Sequence, residues 1–112
     1  MPIAEAYKPE LILVSAGFDA HRQDPLGSMM LSEDGYGDLC GIVQELAGRF
    51  SDGRMALFLE GGYDLNALEK SVRNCIRVLT GKRAPENLAS AQSRGEKAIE
   101  FARQAQKPFW PL

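Results

Sequence analysis

The 112-residue sequence predicts an α/β fold in which parallel strands are flanked by helices. Leu11-Ile12-Leu13-Val14 and Met55-Ala56-Leu57-Phe58-Leu59 are continuous apolar runs. They read as strands buried on both faces, as in a parallel sheet, because an alternating pattern would mark a sheet with one wet face. Each run is followed by a stretch of helical apolar periodicity. The order strand, helix, strand, helix calls for a parallel crossover, right-handed by the general rule.

Residues 4–8 (Ala-Glu-Ala-Tyr-Lys) read as the tail of a helix stopped by Pro9. A helix so short should not stand alone, so the chain is expected to begin inside a larger structure. The first strand is bounded by Pro9 and Gly17, and a loop from about Ser15 to Leu31 follows it. Ser32 suits an N-cap, with Glu33 and Asp34 in the first turn. Tyr36, Leu39, Cys40, Val43, Leu46, Ala47 and Phe50 share one face of the helix that follows. Gly35, Gly37 and Gly41 weaken it by about 1 kcal/mol each where they lie inside it.

Ser51-Asp52-Gly53 is a turn into the second strand, which runs out into Glu60-Gly61-Gly62-Tyr63-Asp64. Asn66 and Glu69 resemble a capping box. Leu68, Val72, Cys75, Ile76 and Leu79 form a second apolar stripe, stopped at Gly81. In the remainder, Leu88, Ala91, Ala98, Ile99 and Ala102 suggest a weak alanine-rich helix, broken near Gly95 and ended by Pro108. The apolar tail Phe109-Trp110-Pro111-Leu112 should dock against something. The chain thus divides into a strand–helix–strand–helix core, 8–81, and a helical tail, 82–112.

Formal net charge is −2, which argues against a protein built on phosphate-backbone contacts. The sequence shows neither an apolar run long enough for a membrane span nor the pattern of a secretory signal, so the expected compartment is the cytoplasm. There are two cysteines and one histidine, with no CxxC and no HExxH. A cysteine-rich structural zinc site is excluded, and any metal must use carboxylates, His21, or ligands from outside the chain. Cys40 and Cys75, on apolar helix faces, read as buried free thiols.

Ligands of open parallel sheets bind beyond the carboxyl ends of the strands. Neighbouring strands, about 4.8 Å apart, would bring Ser15–Gly27 and Glu60–Asp64 to one sheet edge. That gathers carboxylates, an imidazole and a phenol over one crevice, a set suited to a hard or borderline metal ion. Taken alone, the same residues also read as loop-capping aspartates, a turn tyrosine and a generic glycine turn.

Pro9-Glu10-Leu11-Ile12-Leu13-Val14-Ser15-Ala16-Gly17-Phe18-Asp19-Ala20-His21, continuing to Asp24-Pro25-Leu26-Gly27, is similar to a signature stretch of the histone deacetylase family. Glu60-Gly61-Gly62-Tyr63-Asp64-Leu65 resembles a second signature. The wording is closest to the bacterial and class-II-like branch, with its acetoin-utilisation proteins and acetylpolyamine amidohydrolases. The likeness runs from about Pro2 to Gly81, more loosely to Trp110.

This resemblance implies a partial arginase/deacetylase fold and a zinc-dependent amidohydrolase. Its substrate would be an acyl-lysine protein or an acetylpolyamine, with no direct contact to nucleic acid or membrane. It makes Asp19 a zinc ligand and Tyr63 the hydrogen-bond donor to the oxyanion formed at the amide carbonyl. Leu26 would line the tunnel for the alkyl arm, with Phe18, Gly61 and Gly62 also at the substrate.

His21 is read as a loop or rim histidine, although Asp19-Ala20-His21 mimics the family's separate Asp-x-His element. Asp24 is expected to brace its loop, and Glu60 is left open between a solvated anion and a structural acceptor. The family also needs a second aspartate and a histidine on the metal, and a tandem histidine pair; a single histidine cannot provide them. The resemblance therefore implies a carboxyl-terminal portion, inactive by itself, whose uncovered apolar faces favour oligomers. The alternative is a non-catalytic binding or assembly module built from the same fold.

Overall fold

The computed structural model describes residues 2–84 and 93–112. Strand β1, Ile12–Ala16, pairs in parallel with β2, Met55–Leu59, in the register Ile12↔Met55 to Ala16↔Leu59. Both strands therefore end at the same sheet edge. The pairing continues past their ends, where Glu60 N–H donates to the Ala16 carbonyl at 3.1 Å and Phe18 N–H to the Gly61 carbonyl at 2.8 Å.

Helix α1, Pro2–Tyr7, stops at Lys8, which takes a left-handed conformation (φ 52°) just before Pro9. Helix α2, Glu33–Phe50, is capped by Ser32, whose hydroxyl accepts the Gly35 N–H at 3.1 Å. It ends where the buried Ser51 hydroxyl donates to the Ala47 carbonyl at 3.1 Å. Helix α3, Leu65–Leu79, is capped by Asp64, which accepts the Ala67 N–H at 2.7 Å. The expected box of Asn66 and Glu69 does not form. Asp64 already holds the extended cap conformation, so Asn66 lies inside the helix, and Glu69 pairs instead with Arg73 four residues on.

α2 and α3 pack on each other, and Phe18, Tyr36, Cys40 and Cys75 form the core between the helices and the first loop. Leu68, Val72 and Leu79 pack against it. Tyr36, Cys40 and Ala47 of the expected α2 face are buried, joined by Gly37 and Gly41, while Leu39 is exposed. Gly37 is buried by close approach. A Cβ on Gly37 would lie 1.8 Å from a guanidinium nitrogen of Arg83, which bonds Asp38 at 3.2 Å. Ile76 likewise faces outward from α3, where Ala67, Ser71, Cys75 and Val78 are the buried positions.

The strands are not buried on both faces as the apolar runs predict. Leu13 is 64% exposed and Phe58 is 58% exposed. Burial of a strand depends on what lies across the sheet, and the described helices pack on each other and on the loops. Each uncovered side chain of this size forgoes about 1.5–3 kcal/mol of burial.

Helix α4, Ser93–Gln106, runs unbroken through Gly95, because one glycine costs a helix only about 1 kcal/mol. Leu88 and Ala91 fall outside the described residues. Trp110 meets Tyr7 edge-on, with ring centroids 6.4 Å apart, so part of the tail does dock, while Phe109 stays exposed. Among the described residues no helix is long and apolar enough to cross a membrane.

Replacing Ser32 by alanine removes the α2 cap and should lower stability by about 1 kcal/mol in a urea titration. An unchanged midpoint would mean that Ser32 does not cap α2.

Candidate functional site

The loops that leave β1 and β2 meet at the carboxyl edge of the sheet. Asp19 is half-buried, and its carboxylate lies against Gly61 of the second loop. A Cβ built on Gly61 would stand 2.7 Å from Asp19 Oδ2, and one on Gly17 would stand 3.1 Å from Oδ1. The carboxylate is thus cradled by two backbone stretches, and a side chain on either would have to displace it. Gly27 presses on the same residue from the far end of its loop: a Cβ there would lie 1.6 Å from the Asp19 carbonyl oxygen. Gly62 has φ +136°, a conformation that L side chains rarely adopt, and a Cβ there would meet Phe18 and Leu68 at 3.1 Å.

Asp24 joins the loops. Its Oδ1 accepts the N–H groups of Leu26 at 2.9 Å and Gly27 at 3.1 Å. Its Oδ2 accepts the N–H of Tyr63, 39 residues away, at 2.7 Å. Burial alone would push this carboxyl up; the N–H groups of Tyr63, Leu26, Gly27 and Asp64 outweigh it and hold the group below the ordinary aspartate value.

A second tie runs from the first loop to α2. His21 is fully buried. Its Nδ1 accepts the Gln23 N–H at 3.1 Å, which places the ring proton on Nε2, where it meets Glu33 Oε2 at 3.1 Å. Residues 21 and 31 form a β-bridge that closes the loop on itself. Glu33 is held below the ordinary glutamate value by its own backbone N–H and then by His21. The Tyr36 ring stacks on His21 with centroids 6.4 Å apart and packs on Phe18 at 4.9 Å. Burial pushes the Tyr36 phenol up, against the lowering effect of the Ala20 backbone.

Asp19, Gly61 and Gly62 are therefore brought together, and Tyr63 is tied into the same cluster through its backbone. The Tyr63 side chain is 58% exposed and Leu26 is 69% exposed, both open to the solvent side of the loops. Phe18 instead lies in the core at 7% exposure. His21 lies in the loop, as expected, but not on a rim: the loop buries it completely, and its Nε2–H donates to Glu33.

Sequence reasoning missed the His21–Glu33 tie altogether. It anticipated that Asp24 braces its own loop, since aspartate before proline favours such turns, but not the bond to Tyr63. Cys40 and Cys75 are buried free thiols, as expected. The Cys40 thiol and burial push the Cys75 thiol well up, which keeps it unreactive.

No group of three or more histidine, cysteine, aspartate or glutamate side chains able to hold a metal occurs among the described residues. A zinc ion takes three or four protein donors, and the described residues gather no such set.

Known proteins share both fold and sequence with this chain. The model of the histone deacetylase domain matches residues 1–79. Polyamine deacetylase HDAC10 of Homo sapiens is 42% identical over 98% of the chain, and chloroplastic histone deacetylase 14 of Arabidopsis thaliana is 42% identical over 80% of it. The chain spans only 16% and 21% of the length of these two relatives. The crystal structure of the HDA15 HD domain superposes with a TM-score of 0.82 at 33% identity, covering 99% of this chain and 29% of that one.

Parallel strands with flanking helices and paired loops at one sheet edge thus define a portion of the arginase/deacetylase fold. The chain belongs to the histone deacetylase family.

Replacing Gly61 by alanine should displace the Asp19 carboxylate while leaving stability within about 1 kcal/mol, since a side-chain end yields easily. The ¹³C shift of the Asp19 carboxyl reports this; an unmoved signal would mean the two loops are farther apart.

The Asp24 bonds also set a pH dependence. Its folded pKa lies below its unfolded one, so its contribution is present above the unfolded value and is lost as pH falls through the folded value. The stability advantage of the native chain over Asp24→Asn should therefore shrink as pH is lowered from about 6 to about 3. A gap that stays constant over that range would contradict the bonding described.

Proposed function

We propose that this chain supplies two active-site loops of a zinc-dependent deacetylase that hydrolyses acetyl-lysine or acetylpolyamine amides. The observation that carries the reading is the Asp19 carboxylate packed on Gly61, two residues before Tyr63, at the carboxyl edge of a parallel sheet. Asp19 is the chain's donor to the metal. Tyr63 is the hydrogen-bond donor to the oxyanion that develops on the amide carbonyl, an interaction worth about 2.7–4 kcal/mol. Its exposed side chain suits a group that must reach a substrate. Leu26, also exposed, is the wall for the alkyl arm, and Gly61 and Gly62 serve that site by letting their loop pack closely on Asp19 and Phe18.

The name of the human relative supports an acetylated polyamine as substrate, and the names of the plant relatives support acetylated histone. The remaining metal donors and the tandem histidines implied by the family are not in this sequence, whose one histidine is committed to Glu33. The 112-residue chain is accordingly inactive by itself. A second reading, a non-catalytic assembly module, is favoured by the open apolar strands with Leu13 and Phe58.

One experiment separates them. The chain is co-expressed with the upstream portion of the HDA15 HD domain and assayed with zinc on an acetyl-lysine peptide and an acetylated polyamine. Turnover is expected only in the combination, and Tyr63→Phe should reduce it on the order of 10²–10³-fold. A stable combination without turnover would favour the assembly module. Turnover by the 112-residue chain unaided would contradict its incompleteness.

A further inference from the structure

One buried carboxylate has no place in the chemistry proposed above, yet it holds both loops. Asp24 is 8% exposed and bonded through both oxygens to backbone N–H groups. Oδ1 fixes Leu26 and Gly27, and the Gly27 backbone abuts the Asp19 carbonyl, with no room for a Cβ. Oδ2 fixes the N–H of Tyr63 itself. The Phe18–Gly61 bond couples the loops two residues earlier, but Gly62 separates it from Tyr63, and glycine there has wide backbone freedom.

We infer that Asp24 is a positioning residue: its carboxylate sets the backbone of Tyr63 against the segment that carries Asp19 and Leu26. It touches neither substrate nor metal; it acts through Tyr63. The inference rests on the deacetylase reading for its purpose, but not for its geometry.

A carboxylate is needed because both of its oxygens accept. Asparagine keeps the shape but offers one acceptor and one NH₂. The two local bonds to Leu26 and Gly27 will claim the oxygen, which leaves the NH₂ facing the Tyr63 N–H. The loss should therefore be selective. Tyr63 comes free, while Leu26 and Gly27 stay as they are. A misplacement of this kind, of about 1 Å, can cost on the order of 10²-fold in rate.

The test uses the 112-residue chain and then the reconstituted enzyme. In Asp24→Asn, amide exchange at Tyr63 should accelerate by about tenfold or more, while Leu26 and Gly27, bonded to the retained oxygen, keep their protection. Unchanged exchange at Tyr63 would overturn the inference. If the variant unfolds, the native chain decides: a scalar coupling across the hydrogen bond between the Tyr63 amide nitrogen and the Asp24 carboxyl carbon is expected, and its absence overturns the tie.

In the reconstituted enzyme, Asp24→Asn should lower kcat with KM little changed. In a Tyr63→Phe background it should have no further effect, because it acts through that phenol. Additive losses would mean a general structural role and overturn the positioning role. No turnover with native sequence would count against the deacetylase reading, while the exchange measurement still decides whether Asp24 fixes Tyr63.

Discussion

The parallel pairing of β1 with β2, in the register Ile12↔Met55, is the constraint on which everything else in the molecule rests. Strands that run the same way deliver their following loops to the same edge. The register also sets Ala16 beside Leu59, so that Asp19 and Gly61, a few residues farther on, can touch. A shift by one residue would turn every side chain to the other face and carry the second loop away from the first. The Phe18–Gly61 bond, continuing beyond the last strand residues, makes the loops a continuation of the ladder.

Around that frame, polar groups that are buried are mostly held by backbone. Asp24 takes three N–H groups in place of a cation, and His21 splits its two nitrogens between Gln23 N–H and Glu33. These ties cost desolvation, but they specify a geometry that apolar packing could not, because only directional bonds tell one loop register from another. The molecule leaves some ends untied. The Ser71 hydroxyl is buried without a partner among the described residues, and Leu13 and Phe58 stand open on the sheet. Both features fit a chain that spans a small share of the length of its relatives.

Much of the fold was legible in the sequence. The bounds of β2, the Ser32 cap and the parallel crossover follow from runs, caps and periodicity, which are local signals. What failed depended on neighbours. Two-sided burial of β1 requires cover that the described residues do not supply. Gly37 joins the buried side of α2 where Arg83, remote in sequence, presses on it. Asp64 displaced Asn66 as cap because α3 begins one turn earlier than its apolar stripe suggests. The shared edge of the two loops was legible from the neighbouring strands, whereas the close packing of Asp19 on Gly61 was not. The His21–Glu33 and Asp24–Tyr63 ties were not, since neither partner's type or spacing marks a bond across 12 or 39 residues.

The most direct measurement is a ¹⁵N-edited NOESY spectrum of the chain in solution. The strand register predicts cross-peaks from the Phe18 amide to the Gly61 α-protons and from the Tyr63 amide to the Asp24 β-protons. Spectra in which Phe18 and Tyr63 each see only their own loop would contradict the shared edge, and the deacetylase site would go with it.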